Sequence, residues 1–208
     1  MTALPEPTQG PEPTRRNFPW GIPDHLLSIE EYAALGETES GFTELVEGRL
    51  MMSPSPKARH GFAMSYIVHQ LVPQLPEGVV VVLETDIDLG LAPAGKPGFS
   101  RRPDLLITTR AALSRVNRDD DMLRASEVLV VVEIVSPGSK RTDYVTKHDE
   151  YADAGIPFYW IVDLSDPVSL VACHQAGELG YQDAPAVTGV FTTSEPFAAK
   201  IDLTTLTA

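Results

Sequence analysis

Apolar residues recur along the chain at two spacings, and the switches between them divide it into elements. Ser28, with Glu31 three residues on, makes a capping box that predicts a short helix over Ile29–Leu35. Glu44–Ser53 (ELVEGRLMMS) reads as a hairpin turning near Glu47-Gly48. From Arg59 to Leu75 the spacing is helical, with His60, Ala63, Met64, Ile67 and Leu71 on one face. Val79–Leu89 then reads as one long strand with an acidic end (Glu84, Asp86, Asp88), and Leu91–Ser100 as a loop. Pro103–Thr108 predicts a short buried strand whose proline sits at its first residue, where a missing N–H is tolerated.

The second half is more sharply written. Ala111–Ala125 predicts a short helix followed by the charged loop Arg118–Asp121. Val128–Ser136 (VLVVVEIVS) is apolar on both faces, as a central strand requires. Thr142 is placed to cap a helix running to Ala154, and Gly155 with Pro157 supplies its stop. Phe158–Val162 is another buried strand, and Val168–His174 and Gly189–Phe191 are expected to extend the sheet edge. The core order is α-β-β-β-α-β, a mixed α/β (α+β) sheet flanked by helices. The boundaries predict a disordered, proline-rich tail over residues 1–20 and a single domain over 21–208.

Composition narrows the partners. Hydrophobic residues make up 43% of 208, which fits a globular core. The longest apolar run, around Val128–Val132, is far short of the ~20 residues that span a bilayer, so no membrane partner is expected. The first ten residues have neither a basic start nor an apolar stretch, so a secretory signal is not expected and the cytoplasm is. A lone cysteine, Cys173, excludes an intrachain disulfide framework and a cysteine-rich zinc site. The formal charge of −13 opposes tight nucleic-acid binding. Residues 100–150 nevertheless hold nine Lys/Arg against nine acids, so all of the excess lies elsewhere.

Glu133 stands inside the most hydrophobic strand of the chain, and Asp104 follows Pro103 at the start of another. An isolated buried carboxylate is costly, so each must be paired, protonated or bound to a cation. Two such acids on neighbouring strands can converge on one hard cation such as Mg²⁺ or Mn²⁺. The plain alternative is a buried ion pair with Arg101 or Arg102. Asp143, Lys147 and Tyr151 recur every four residues and share a helix face. If that face lies on the sheet, Lys147 reaches toward the two acids. Otherwise it is a surface partner of Asp143, worth only ~0.3–0.5 kcal/mol. His60 points inward, either as a hydrogen-bonded core histidine or as an auxiliary metal or phosphate contact. Glu44 is a further candidate for an outer carboxylate, ahead of Glu84. Gly90–Lys96 matches part of a P-loop but runs into Pro97 rather than Ser/Thr and a helix. No H-E-x-x-H or G-x-S-x-G is present.

Several of these pieces together resemble one family. Arg102-Pro103-Asp104, Val132–Pro137 (VEIVSP), Asp143…Lys147…Tyr151 and Ala154–Asp163 (AGIPFYWIVD) resemble the Uma2 family of restriction-endonuclease-like proteins, also called DUF820. Glu44–Leu50, Ser53-Pro54 and His60 resemble its opening, and the likeness covers about residues 25–175. It implies a PD-(D/E)XK nuclease core. In that motif a lysine follows two residues after the second acid, where this chain has Val135. The resemblance therefore implies a migrated lysine, Lys147.

The expected function is a Mg²⁺- or Mn²⁺-dependent endonuclease acting on DNA. Asp104 and Glu133 would hold the metal, helped by the Ile134 carbonyl, and Lys147 would position the water. Arg101, Arg102, Lys140 and Arg141 are the candidate DNA contacts, and so few imply weak, salt-sensitive binding. Lys140 is expected on a mobile Pro-Gly-Ser connection before the helix. The acidic balance and Val135 keep a rival open, a catalytically degenerate binding or regulatory module. A homodimer or a homo-oligomeric partner protein is a second rival.

Overall fold

The computed structural model describes residues 23–36, 42–52 and 57–207. The predicted tail and Ser53-Pro54 lie outside them. In chain order, helix α1 (Ile29–Leu35) leads to the hairpin β1 (Thr43–Val46) and β2 (Arg49–Met52), then α2 (Ala58–Leu71). Strands β3 (Val79–Leu83), β4 (Ile87–Asp88), β5 (Ser100–Arg101) and β6 (Leu105–Thr109) follow. Next come α3 (Arg110–Asp119), β7 (Leu123–Arg124) and β8 (Val128–Val135). A π-helical turn, Thr142–Thr146, runs into α4 (Lys147–Asp153), then β9 (Phe158–Asp163) and β10 (Ser169–Gln175). The chain ends in β11 (Tyr181–Asp183), β12 (Val187–Thr188), β13 (Val190–Thr193) and β14 (Ala199–Asp202).

The main sheet has the order β11-β10-β9-β8-β6-β3, with β12 also on β10. β3, β6 and β8 form an antiparallel meander, and α4 carries the chain over to β9, which lies parallel to β8. This is the expected α-β-β-β-α-β order, with α2 on one face and α4 on the other. Strand β8 sits in the middle and is buried along its length apart from Leu129, which is why it reads as an unbroken apolar run. Val130, Val132 and Ile134 face α2 through Ala63, Ile67 and Leu71. Val131 and Val135 face Tyr151, Ile156 and Tyr159. Glu133 lies between those two on the α4 face, the one acid on an apolar wall.

Two expectations about strands change. The long strand Val79–Leu89 breaks at Glu84, where φ is 45°, and its end crosses to a second sheet, β2-β1-β5-β4-β7. Gly189–Phe191 does not extend the main sheet. Val190 and Phe191 belong to β13, which pairs with β14, and Phe191 and Ile201 pack into the α2-side core.

The β1–β2 turn holds β1, and hence Glu44, against the main body. Glu47 and Gly48 both have positive φ (50° and 75°), as a two-residue turn of this hand requires. The Gly48 amide donates to the Gly98 carbonyl and its own carbonyl accepts from the Leu27 amide. A Cβ there would meet Leu26 Cβ at 2.8 Å and Pro97 Cβ at 2.9 Å. Gly48→Ala therefore combines a strained φ with a collision and should lower stability by ~1–3 kcal/mol. A denaturant melt unchanged from wild type would contradict this packing.

Candidate active site

A cleft of about 130 Å³ opens at one end of the main sheet, where β6, β8, β1, α2 and the π-turn meet. Leu105 pairs with Val132, so Asp104, one residue earlier, stands beside Glu133 and Ile134 across the β6–β8 ladder. Its carboxylate accepts from the Ile134 amide at 2.6 Å. The two acids are thus on adjacent strands and line one cleft.

Glu133 is 3% exposed. Its Oε1 accepts from Lys147 Nζ at 2.8 Å and from the Tyr151 hydroxyl at 2.8 Å. Lys147 also lies 3.3 Å from Glu44 Oε1 and 4.0 Å from Asp143 Oδ1. The surface-pair alternative for Lys147 is therefore set aside, since both it and Asp143 are buried. The Lys147 amide donates to the Thr142 carbonyl, a five-residue step. That wider turn, of a kind often found at functional sites, keeps Asp143, Lys147 and Tyr151 all inward.

The helix also begins earlier than expected. The Asp143 amide donates to the Ser139 carbonyl, and the backbone is already helical at Lys140. Thr142 is thus no cap, and Lys140 is not on a mobile connection. Lys140 is fixed in the first turn with Nζ 3.0 Å from Asp163 Oδ2.

Charge around the cleft is unbalanced. Burial raises the Glu133 carboxyl well above the glutamate range; Lys147 opposes this, while Asp104 and Asp143 reinforce it. Burial likewise raises Asp143, against its hydrogen bond from Ser139 and the charge of Lys147. Burial would raise Glu44 too, but Lys147 and Arg101 outweigh it and hold it low. Burial would lower Lys147, but Glu133 and Glu44 keep it an ammonium. Five carboxylates (Glu44, Glu84, Asp104, Glu133 and Asp143) line the cleft with Lys147, Arg102 and His60.

These oxygens suit a hard divalent cation. Asp104 Oδ2, the Ile134 carbonyl and Glu133 are all oxygen donors, and the excess negative charge is what a cation would offset. His60 Nε2 already lies 3.1 Å from Asp104 Oδ2 and 3.2 Å from the Ile134 carbonyl, so a hydrogen-bond donor bridges two of them. Burial would depress His60, but the Asp104 hydrogen bond and charge leave its pKa raised.

The arginines are placed differently from expectation. Asp104 is held by the Ile134 amide and His60, and Glu133 by Lys147 and Tyr151. Arg101, a candidate DNA contact, is 4% exposed. It bridges Glu44 at 2.8 Å and Glu150 at 2.5 and 2.8 Å, so it is a structural clamp rather than a surface cation. Arg102 lines the cleft, holds Asp86 through two hydrogen bonds of 2.8 and 2.6 Å, and covers the Phe42 ring. Arg141 is exposed on the helix surface beside the equally exposed Lys140. Glu84 lines the cleft beside its left-handed backbone turn, and Trp160 and Tyr159 are core residues.

Sequence reasoning missed the role of Tyr151. Its hydroxyl fixes Glu133, a contact hinted at only by its place two helical turns after Asp143.

The fold is that of a nuclease-fold protein. A solved structure described as "a putative nuclease belonging to DUF820" from Anabaena variabilis ATCC 29413 superposes with a TM-score of 0.62 at 20% identity. The match covers 86% of this chain and 97% of that one. The chain belongs to the Uma2 family, described as "Putative restriction endonuclease", whose model matches residues 29–205. No curated protein matches it. Among the described residues, no helix is long and apolar enough to cross a membrane.

Removing one partner from this charge cluster separates its members. Glu133→Gln leaves Lys147 facing Glu44 and Asp143, so it should cost less than ~3 kcal/mol. Lys147→Met leaves the carboxylates facing one another and should cost ~3–5 kcal/mol. Equal losses in a urea melt would contradict the shared-charge arrangement.

Proposed function

We propose that this chain is a divalent-metal-dependent endonuclease that hydrolyses DNA phosphodiester bonds. The observation that carries the reading is the meeting of Asp104, Glu133, the Ile134 carbonyl and Lys147 in one cleft, on a fold shared with a nuclease-family structure. Asp104, Glu133 and the Ile134 carbonyl would hold Mg²⁺ or Mn²⁺, with His60 as an auxiliary donor and Glu44 supporting Lys147 from behind. When bound, such a cation neutralises charge on the phosphate and lowers the pKa of a water.

The chain's own groups supply the rest. Lys147 carries an ammonium pinned by Glu133 and Glu44, so it can orient the attacking water and donate to the phosphoryl oxygens on which charge develops. It does so from the helix, in place of the lysine that Val135 replaces. Tyr151 keeps Glu133 oriented by donating to Oε1. Because Glu133 and Asp143 hold their protons tightly, cation affinity should rise with pH.

A degenerate binding or regulatory module is the second reading, and one observation favours it. Of the four cations expected on phosphates, Arg101 is buried in a clamp, and Arg102 and Lys140 are paired with Asp86 and Asp163.

The test is nicking of supercoiled plasmid in Mg²⁺ or Mn²⁺. Wild type should cleave and Glu133→Gln should not. Lys147→Ala should lose at least ~10²-fold in rate while calorimetry still finds the cation bound. Cleavage by Lys147→Ala at the wild-type rate would remove Lys147 from the mechanism. No cation binding by wild type would leave the binding-module reading.

A further inference from the structure

A second donor cluster lies away from the cleft, where α4 meets β10 and β11. A ring nitrogen of His148, Cys173 Sγ and a carboxylate oxygen of Asp183 lie within 4.8 Å of one another. We propose that His148, Cys173 and Asp183 form a site for a borderline-soft divalent cation, Zn²⁺ in chemical class, that clips α4 to the β10–β11 hairpin. This site is independent of the nuclease reading.

The donor types argue for it. Thiolate, imidazole and carboxylate are the three ligand classes that bind Zn²⁺, and a sulfur donor selects against Mg²⁺ and Ca²⁺. The geometry is fixed by elements rather than by loops. Cys173 and Asp183 are direct partners across the β10–β11 ladder, and His148 comes from the helix packed over them. Cys173 is 1% exposed, whereas the Asp183 side chain is 53% exposed. The cluster therefore opens to solvent on the Asp183 side, which gives a cation a way in and leaves a fourth position for water.

The imidazole is already oriented from behind. Its Nδ1 faces Asp149 Oδ1 at 3.2 Å and its Nε2 faces Asp183 Oδ1 at 2.9 Å. A carboxylate on the far ring nitrogen is the arrangement that fixes the tautomer of a metal-bound histidine. The Tyr181 ring stands edge-on to it at 5.3 Å and walls one side. Without a cation, burial and the facing Asp183 carboxylate keep the Cys173 thiol protonated. Binding would form a thiolate and release that proton to solvent.

The consequence is mechanical. His148 directly follows Lys147, so a cation joining His148 to the β10–β11 hairpin would hold the helix that presents the cleft's ammonium. Nothing in the sequence marks the trio, since its members are scattered over three elements and form no spaced motif.

The experiment uses the full chain, stripped with chelator and titrated with Co²⁺ as the spectroscopic probe. A thiolate-to-cobalt charge-transfer absorption should saturate at one equivalent of Co²⁺ at this site, whatever further Co²⁺ the cleft takes up, and Zn²⁺ should displace it. Cys173→Ser and His148→Gln should abolish the band. Asp183→Asn, half-exposed and outside the core, keeps the test valid should Cys173→Ser fail to fold, and it should weaken binding at least tenfold. Asp149→Asn should weaken it about ten- to a hundredfold. Glu133→Gln should leave the band intact. No charge-transfer band in wild type, or wild-type affinity in Asp183→Asn, would overturn the proposal. So would loss of the band in Glu133→Gln.

Discussion

One buried carboxylate constrains much of this molecule. Glu133 sits in the central strand, on an apolar wall between Val131 and Val135, at 3% exposure. A charge there needs partners, and breaking a buried pair typically costs ~3–5 kcal/mol. The partners come from far along the chain. Lys147 and Tyr151 descend from the helix that crosses over to β9, and Glu44, from the small sheet, shares the Lys147 ammonium. Arg101 in turn clamps Glu44 to Glu150 on the same helix. The packing of α4 and of β1 against the main sheet is therefore coupled through one polar network.

That network is oversupplied with acid. Glu44, Glu133 and Asp143 surround one ammonium, with Asp104 beside them, and burial, reinforced by the neighbouring acids, raises the pKa values of Glu133 and Asp143. A purely structural cluster would do as well with fewer acids. Asp104 and the Ile134 carbonyl are held by β6 and β8 at the mouth of the cleft, where oxygen donors meet solvent. The π-turn before Lys147 serves the same end, because it keeps three side chains spaced by four residues on a single inward face.

Much of this was legible in the sequence wherever period and burial coincide. The apolar run of β8 marked the central strand, and the acid within it marked the cleft. The four-residue recurrence of Asp143, Lys147 and Tyr151 marked the face that meets the sheet. What escaped was set by tertiary contact. The break at Glu84 depends on a left-handed residue whose amide donates to the Asp104 carbonyl, and no hydrophobic pattern encodes that. Arg101 and Arg102 are adjacent and look alike in sequence. One is buried because β5 turns it toward Glu44 and Glu150, and the other follows the strand and faces the cleft. The start of the lysine helix was misplaced because Pro137-Gly138-Ser139 resembles a connection, whereas the Ser139 carbonyl already accepts the helix's hydrogen bond from Asp143.

The central claim is that the acids at the end of β6 and β8 hold a divalent cation beside Lys147. Anomalous diffraction from crystals grown with Mn²⁺ tests it most directly. The account predicts a peak bonded to Asp104, Glu133 and the Ile134 carbonyl, and its loss in Glu133→Gln. A cleft without that peak at saturating Mn²⁺, with Lys147 still locked on Glu133, would contradict it.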